Sequence, residues 1–321
     1  MENNPYHLIL KILHKGYQKF SRNPNSKNHY YIEQDPDRAS EMIYQQLMSD
    51  KPCMIARFGA FELSTIINYI GVSNPNHSAW KYIKGEQPQW WWNKNLMGYM
   101  QSNAGFFPAT EEKLSQFCEI MMENTKHLDI LASWREEESL LNIYQNVKRI
   151  SIHSFNPYWA CLPWTRALRN KKILIIHPFE DTIKYQYNNN RLKIFSNQDV
   201  LPHFESLSII RSPQTIYGET CGFPNWFKCL EWIKREIDKN DFEICLLGCG
   251  SYGFPLSAYI KQIGKKAIHM GGSLQLLFGI KGARWDKHPD YKDNIYNSYW
   301  IRPMDSDITK GLKKIENGCY L

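Results

Sequence analysis

Short apolar runs alternate with stretches of helical periodicity along the second half of the chain. The runs have the length and the β-branched content of buried strands, and polar or glycine-containing segments separate them. The predicted strands are residues 172–176, 207–210, 242–247 and 267–270, and the predicted helices between them are residues 181–187, 225–238 and 254–263. This alternation is typical of a parallel sheet that is covered by helices on both faces.

The first half of the chain has a less regular pattern. Its predicted helices are residues 6–20, 38–49, 61–70 and 110–127, and its predicted strands are residues 53–58, 128–131 and 150–153. A polar connector over 23–36 follows the first helix. Residues 73–108 are rich in Asn, Pro, Gly and Trp and have no clean period, so we predict a long loop with short helices there.

Together these segments predict an α/β fold, a Rossmann-like, mostly parallel sheet flanked by helices, with an N-terminal helical extension. We predict an amphipathic helix and linker over residues 1–30 and a main domain over 31–321, with halves at 31–165 and 166–321. Ligands of such sheets bind at the carboxyl ends of the strands. The chemistry is therefore expected in the loops that follow the predicted strands.

Composition narrows the classes of function. Of the 321 residues, 43% are hydrophobic, enough to bury a large core, and 14% are aromatic, which suits either stacking on sugar rings or an aromatic-rich core. The formal charge of +7 is spread along the chain without a Lys/Arg-rich block. It suits small anionic ligands or an anionic membrane surface, and it argues against binding to nucleic acid.

The chain has no apolar run of the roughly 18 residues that a spanning helix needs. Its eight cysteines have no zinc-like spacing and no signal peptide before them, so we expect reduced thiols and a cytoplasmic protein. The first predicted helix has an apolar face with lysines around it. That pattern permits either packing on the protein's own body or peripheral contact with the inner membrane.

A glycine-rich turn follows the predicted strand at 242–247 and has the form G-x-G-x-x-G. Glycines let the backbone approach an anion, and a helix N-terminus offers free N–H groups. The candidate phosphate ligands are Gly248, Gly250, Ser251, Tyr252 and Gly253. A tight turn without a ligand is the alternative. The stretch 254–285 contains no Asp or Glu, so the acid that holds the ribose in NAD sites is missing.

A second strand-to-helix junction reads Arg57-Phe58-Gly59-Ala60-Phe61-Glu62. Arg57 ends the strand, where its guanidinium could hold a diphosphate in bidentate fashion beside Gly59. Glu62 lies in the first helical turn, where the helix dipole favours its charge. It is therefore a candidate catalytic carboxylate or, alternatively, a helix cap.

Titratable side chains also follow the strand at 172–176. His177 and Glu180 stand on a loop at the carboxyl edge of the sheet, where they could act as a general base or bind sugar hydroxyls. Glu219, in a Gly- and aromatic-rich stretch, is a further candidate base. A hydrogen-bonded structural role is the alternative for His177.

Paired glycines follow the strand at 267–270. Gly271 and Gly272 allow another close approach of the backbone to a ligand. We expect His269 and Gln275 to contact a base or ribose, and Arg284 to neutralise a phosphate.

At these residues the chain resembles the GT-D fold glycosyltransferases and their relatives in bacterial capsule and O-antigen synthesis. The similar segments are residues 54–62, 177–179, 247–256, 269–272 and 278–282. The resemblance implies a hexosyltransferase-type enzyme that moves a sugar from a nucleotide-diphosphate donor, most simply a UDP-sugar, to a hydroxyl of a glycan or lipid-linked acceptor. Arg57 and Arg284 would then face the diphosphate, Glu62 would take the proton of the acceptor, and the Trp-rich stretch 80–92 would stack on acceptor sugars.

In the GT-D type, an Asp-x-Glu motif after the Arg-Phe-Gly helps to hold a divalent metal. Glu62 matches the Glu, but Ala60 stands at the position of the Asp. The resemblance therefore implies either Mn²⁺ or Mg²⁺ bound with Glu62 and a further carboxylate, or metal-independent action in which Arg57 neutralises the diphosphate.

Two other functions stay open at this stage. A methyltransferase or oxidoreductase could use the glycine-rich turn for a nucleoside cofactor. A non-catalytic nucleotide-sugar-binding scaffold of polysaccharide assembly would account for the missing Asp at position 60.

Overall fold

The computed structural model of the chain describes residues 4–20, 30–141, 143, 146–314 and 318–321. Its strands are β1 (Cys53–Ala56), β2 (Ile130–Ser133), β3 (Lys148–Ser151), β4 (Lys172–His177), β5 (Ser206–Arg211), β6 (Ile244–Leu247) and β7 (Lys266–His269). They form one sheet in the order β3-β2-β1-β7-β6-β4-β5, and every neighbouring pair is parallel. The predicted Rossmann-like parallel sheet is confirmed.

Helices cover the sheet and precede it. In the described residues they are α1 (Pro5–Phe20), α2 (Pro36–Met48), α3 (Ala60–Ser73), α4 (Ala79–Lys84), α5 (Lys94–Ser102), α6 (Glu111–Asn124), α7 (Glu180–Ile194), α8 (Trp226–Asp238), α9 (Gly253–Gln262), α10 (Leu274–Leu277), α11 (Ala283–Asp286) and α12 (Pro289–Asn294). The helical N-terminal extension is therefore present as α1. Residues 23–29 of the predicted connector over 23–36 lie outside the described residues.

The two faces of the sheet have separate apolar cores, because successive side chains of a strand point to opposite faces. Cys53 and Ile55 of β1 pack in one core with α2 and α7, whereas Met54 and Ala56 pack in the other with α3, α6, α8 and α9. All four residues of β1 are buried. Burial on both faces explains why the strands read as unbroken apolar runs in the sequence.

The order of the strands creates a switch point at the centre of the sheet, between β1 and β7. From β1 the chain builds outward through β2 and β3, then crosses over to β4 and β5, and returns through β6 to β7 beside β1. Cys53 of β1 pairs with Lys266 of β7, so both predicted halves contribute to one sheet. The direction of building reverses between β1 and β7, and such a switch point opens a crevice at the carboxyl ends of the strands.

Side chains fix where several helices begin. Asp35 accepts a hydrogen bond from the backbone N–H of Arg38 at the start of α2, where Pro36 occupies the first helical position. Asn225 caps α8 through the N–H of Lys228 at 3.0 Å. Gly59 precedes α3 and has no side chain that could cap the helix. Glu62 is the acidic residue in the first turn of α3, where its charge interacts favourably with the helix dipole.

Candidate functional site

A cavity of about 430 Å³ lies at the carboxyl edge of the sheet. Its lining includes residues at or directly after the ends of six strands, namely Arg57, Trp134, His177, Ser212, Gly248 and His269. Segments 103–105 and 213–216 form another wall, with Leu312 and Tyr320 from the C-terminal segment. The volume is in the range of sites that bind small molecules.

Most of the residues singled out in the sequence meet in this cavity. Those that line it are Arg57, Gly59, Glu62, His177, Gly248, Gly250, Tyr252, His269, Gly271, Gly272, Gln275 and Arg284. Glu180, Glu219, Ser251 and Gly253 are not among the lining residues. The junction after β1 and the turns after β6 and β7 therefore converge on one space.

Arg57 extends from the end of β1 across the turn that follows β7. A Cβ atom on Gly271 would lie 2.8 Å from Nη1 of Arg57, and Gly271 has a left-handed φ of +63°. Both the close contact and the backbone conformation therefore require glycine at this position. The guanidinium also lies 5.1 Å from the ring centre of Trp134, whose Nε1 donates to the carbonyl of Phe58 at 3.0 Å. The positive charge of Arg57 is thus held in place at the cavity.

Glu62 folds back over the residue that precedes its own helix. A Cβ atom on Gly59 would overlap the carboxylate of Glu62, although the φ of Gly59, −71°, suits any residue. Burial raises the pKa of Glu62, while its own backbone N–H and Arg57 lower it. Among the described residues that line the cavity, Glu62 is the only carboxylate.

Two buried histidines present opposite ring nitrogens. In His177, Nδ1 accepts the N–H of Phe179 at 3.0 Å, so the proton of a neutral ring sits on Nε2. In His269, Nδ1 faces the carbonyl of Leu247 at 3.3 Å and must donate, which leaves Nε2 as an acceptor. Burial lowers the pKa of each ring to about 3. Both rings are therefore neutral near pH 7, and the geometry makes His177 a hydrogen-bond donor through Nε2.

The low pKa of His177 predicts a loss of stability in mild acid. The unfolded ring binds a proton below about pH 6.5 and the folded ring does not do so until about pH 3, so the free energy of unfolding falls as pH drops through that window. From pH 7 to pH 5 this ring accounts for about 2 kcal/mol. In His177→Asn the amide oxygen can still accept the N–H of Phe179. We expect the free energy of unfolding of this variant to fall by about 2 kcal/mol less than that of wild type between pH 7 and pH 5.

Urea unfolding at pH 7 and pH 5 measures this difference. His203→Asn is the matched control, because it makes the same substitution at an exposed position. An acid loss that is equal in wild type and His177→Asn would show that His177 is not buried in a neutral form.

The glycine-rich turn after β6 differs from the expected phosphate cradle. The N–H groups of Gly248, Ser251 and Tyr252 already donate to the carbonyls of Ile176, Ala104 and Cys249, and that of Gly253 donates to Gly250. At most the N–H groups of Cys249 and Gly250 remain for a ligand. The backbone bends as predicted, with φ of +58° at Gly250, but protein carbonyls occupy most of the donors.

Three members of this turn pack within the protein. Oγ of buried Ser251 accepts Nε1–H of Trp226 at 2.9 Å, and a Cβ atom on Gly253 would overlap the ring of His269. The Tyr252 hydroxyl is 2.7 Å from Thr215 Oγ1, and its ring stacks on Trp226. Their close packing sets the shape of the cavity floor.

Gln275 and Arg284 connect the cavity to the C-terminal segment. Nε2 of Gln275 donates to the carbonyls of Ile280, Lys281 and Tyr320 at 3.0–3.3 Å, whereas its buried Oε1 has no hydrogen-bond partner in the structure. The guanidinium of Arg284 lies 4.8 Å from the ring centre of Tyr320. That ring also covers Gly272, where a Cβ atom would lie 2.5 Å from its edge. Gln275 therefore ties three backbone carbonyls together through Nε2, and its Oε1 is an acceptor without a partner.

The remaining candidate carboxylates lie elsewhere. Glu180 pairs with Lys184 at 2.6 Å and with Arg211 at 3.1 Å, so two cations already neutralise it. Glu219 is exposed on a turn. Neither lines the cavity, because α7 and the 217–220 turn carry them away from it.

The tryptophans that were expected at an acceptor site also lie elsewhere. Trp91 stacks on His7 of α1, with ring centres 4.0 Å apart, and Trp90 stacks on His77 at 4.8 Å. Neither they nor Trp92 line the cavity. Trp90 and Trp91 pack instead beside α4, and Trp92 lies beside α3.

Sequence reasoning missed Trp134 and the segment that begins at Ser212. Trp134 follows β2 directly and Ser212 follows β5 directly, so both have the placement that singled out Arg57 and His177. The signal was present, since any residue just after a buried parallel strand lies at this edge. Asn103 to Gly105 had no such signal, because they enter the cavity from the irregular 73–108 stretch.

The residues do not form a metal site of their own. Divalent Mn²⁺ or Mg²⁺ takes several oxygen ligands, and Glu62 is the single carboxylate that the described part of the lining offers. A search of the described residues found no group of three or more His, Cys, Asp or Glu side chains that could hold a metal. We therefore assign no step of the chemistry to a metal.

Comparison with known proteins gives a distant structural likeness that carries no argument. The chain is similar to a solved structure described as a selenomethionine-substituted domain of unknown function 1792, with 12% sequence identity and a TM-score of 0.37 over 95% of this chain and 98% of that one. No protein-family model matches the chain, and no curated protein sequence matches it. A likeness this distant carries no argument about activity, which has to come from the cavity.

Proposed function

We propose that this chain is a glycosyltransferase that takes a sugar from a nucleoside diphosphate donor and transfers it to a hydroxyl of a glycan or lipid-linked acceptor of surface polysaccharide synthesis. One observation carries the proposal. A cavity at the switch point of a parallel sheet contains two guanidinium groups, those of Arg57 and Arg284, and one buried carboxylate, that of Glu62. Paired positive groups suit a diphosphate, and a carboxylate suits a hydroxyl that must lose its proton.

The reaction follows from that arrangement. The acceptor oxygen forms a bond to the anomeric carbon, the bond from that carbon to the diphosphate breaks, and the diphosphate leaves with the electron pair. Glu62 takes the proton of the acceptor hydroxyl. Arg57 and Arg284 stabilise the charge that develops on the diphosphate, because they are held in the cavity before the charge appears.

His177 has a part in this scheme as a donor and not as a base. Its Nδ1 is occupied by the N–H of Phe179, and the low pKa of the ring makes it a weak proton acceptor. Nε2–H is the polar group that remains for a ligand. We assign Nε2–H of His177 a hydrogen bond to the nucleotide-sugar substrate, in place of the general-base role that the sequence indicated.

The glycine-rich turn and the sequence after it disfavour an oxidoreductase that binds a dinucleotide. Dinucleotide sites hold the ribose with an acid after the second strand and the pyrophosphate with free N–H groups of the glycine turn. Residues 254–285 lack the acid, and most N–H groups of the turn are already paired.

Thermal unfolding with added ligands tests the proposal. UDP or GDP at saturating concentration should raise Tm, by about 1–2 °C for each kcal/mol of binding free energy, and NAD or S-adenosylmethionine should not. Stabilisation by NAD or S-adenosylmethionine alone would overturn the glycosyltransferase reading. Binding of UDP or GDP without transfer, across a panel of nucleotide sugars with and without Mn²⁺, would favour the non-catalytic scaffold, which Ala60 supports.

A further inference from the structure

Helix α1 is attached to the body of the protein through its polar side. The ring of His7 stacks on Trp91, Nδ1 of His14 is 2.7 Å from the carbonyl of Tyr82, and Nε2 of Gln18 donates to the carbonyl of Lys84 at 3.1 Å. These three residues recur at helical spacing and so share one face. Leu10 is the only described residue of α1 that is buried.

The opposite face of α1 is apolar and exposed. Ile9 is 55% exposed, Ile12 62% and Leu13 48%, and Phe20 continues the same face at 87%. Leu8, 56% exposed, borders it. A helix that packs on a protein core normally turns its apolar stripe inward. Here the stripe faces away from the body of the protein. Its apolar side chains would be removed from water only by a partner that is itself apolar.

The charges around this stripe define the partner further. Lys15 and Lys19 are exposed beside it, on the side of Leu8, and α1 contains no Asp or Glu. The neighbouring helix α4 adds Lys81 and Lys84, of which Lys84 lies 3.7 Å from Glu86. An apolar face bordered by lysines matches a bilayer surface with anionic lipids, where the side chains enter the acyl boundary and the amines meet the headgroups.

A second copy of the chain fits this surface less well. Pairing two α1 helices through their apolar stripes would bring their lysines together, and like charges at close range oppose association. An anionic bilayer satisfies both the apolar stripe and the lysines. No helix among the described residues is long and apolar enough to cross a membrane, so the contact is with the surface.

We propose that the outward face of α1, formed by Leu8, Ile9, Ile12, Leu13 and Phe20 with Lys15 and Lys19 beside it, docks the protein on a membrane surface that contains anionic lipids. The inference does not rest on the proposed transfer reaction. It follows from the orientation of α1, which the sequence left open between packing and membrane contact.

Vesicle flotation of the full chain tests the docking. Wild type should float with vesicles of phosphatidylcholine and phosphatidylglycerol, and the double variant Ile9→Gln/Leu13→Gln should lose at least about tenfold in partitioning, because two apolar side chains no longer enter the bilayer. Leu192→Gln is the matched control, since Leu192 lies on a helix, α7, and its exposed fraction of 62% is larger than that of Ile9 or Leu13. It should float like wild type.

The lysines make a separate prediction within the same assay. Lys15→Gln/Lys19→Gln should weaken flotation with the anionic vesicles by several-fold at low salt and by less at high salt. Unchanged thermal unfolding and an unchanged Tm shift with nucleotide would show that each variant is folded.

Three results would overturn the docking. They are failure of wild type to float with anionic vesicles, equal flotation of Ile9→Gln/Leu13→Gln, and a wild-type dimer in sedimentation that this double variant dissociates without any vesicle binding. A negative vesicle result beside a positive nucleotide shift would remove the membrane proposal and leave the proposed function intact.

Discussion

Glu62→Gln is expected to lower sugar transfer by about 10²–10⁴-fold while nucleotide affinity stays at its wild-type value. The amide has the shape of the carboxylate and can still accept the N–H at the start of α3, so the fold should persist. It cannot take a proton from the acceptor. Transfer is measured as release of nucleoside diphosphate, and affinity by calorimetry.

Glu111→Gln is the matched control for this prediction. Glu111 also lies in the first turn of a helix, α6, but its side chain is 47% exposed and pairs with Lys94. If Glu62 only caps α3, the two variants will behave alike, with a small change in stability and full transfer. That outcome would remove Glu62 from the chemistry.

Gly59→Ala provides an independent route to the same group. The backbone at Gly59 accommodates alanine, but the added methyl would displace the carboxylate of Glu62. Transfer should therefore fall although Glu62 is still present. Full activity in Gly59→Ala would mean that the carboxylate need not lie where the structure has it.

Arg57→Lys should weaken the binding of a nucleoside diphosphate by roughly 10–100-fold. Lysine keeps the charge but loses the planar fork that can hold two phosphate oxygens and stack on Trp134 at 5.1 Å. The effect should appear equally in the binding of the free diphosphate and of the sugar donor, since both share that group. Calorimetric titration measures it.

Arg169→Lys is the control, because Arg169 is 52% exposed and pairs with Asp199 at the surface. Its affinity should match wild type. Wild-type affinity in Arg57→Lys would instead place the diphosphate away from the end of β1. It would contradict the central assignment of the site.

The sheet and much of the cavity lining could be predicted because the burial of a strand determines which residue types occur along it. A strand that is covered on both faces reads as an unbroken apolar run, and the first polar residue after it lies at the ligand edge. Arg57, His177 and Gly248 were placed by this rule. It did not reach Trp134 and Ser212, because the strands predicted at 128–131 and 207–210 end before the last residues of β2 and β5.

Other features of the site depend on partners that are remote in sequence. One backbone N–H of the glycine-rich turn, that of Ser251, donates to the carbonyl of Ala104. Ala104 belongs to the irregular 73–108 segment, whose sequence has no periodicity that would predict this contact. The ring proton of His177 is fixed by Phe179, two residues on, and no pattern of residue types distinguishes that arrangement from a base. Trp91, expected at an acceptor site, stacks on His7 of α1, a partner that no local pattern of the 80–92 stretch indicates.

The adjacency of β1 and β7 has a consequence for how the protein folds. Cys53 of β1 pairs with Lys266 of β7 although most of the chain lies between them, so the central pair of the sheet closes a very long loop. Contacts of such high sequence separation form slowly. The ligand crevice at the ends of these two strands therefore depends on a pairing to which both halves of the chain contribute, and neither half can build it alone.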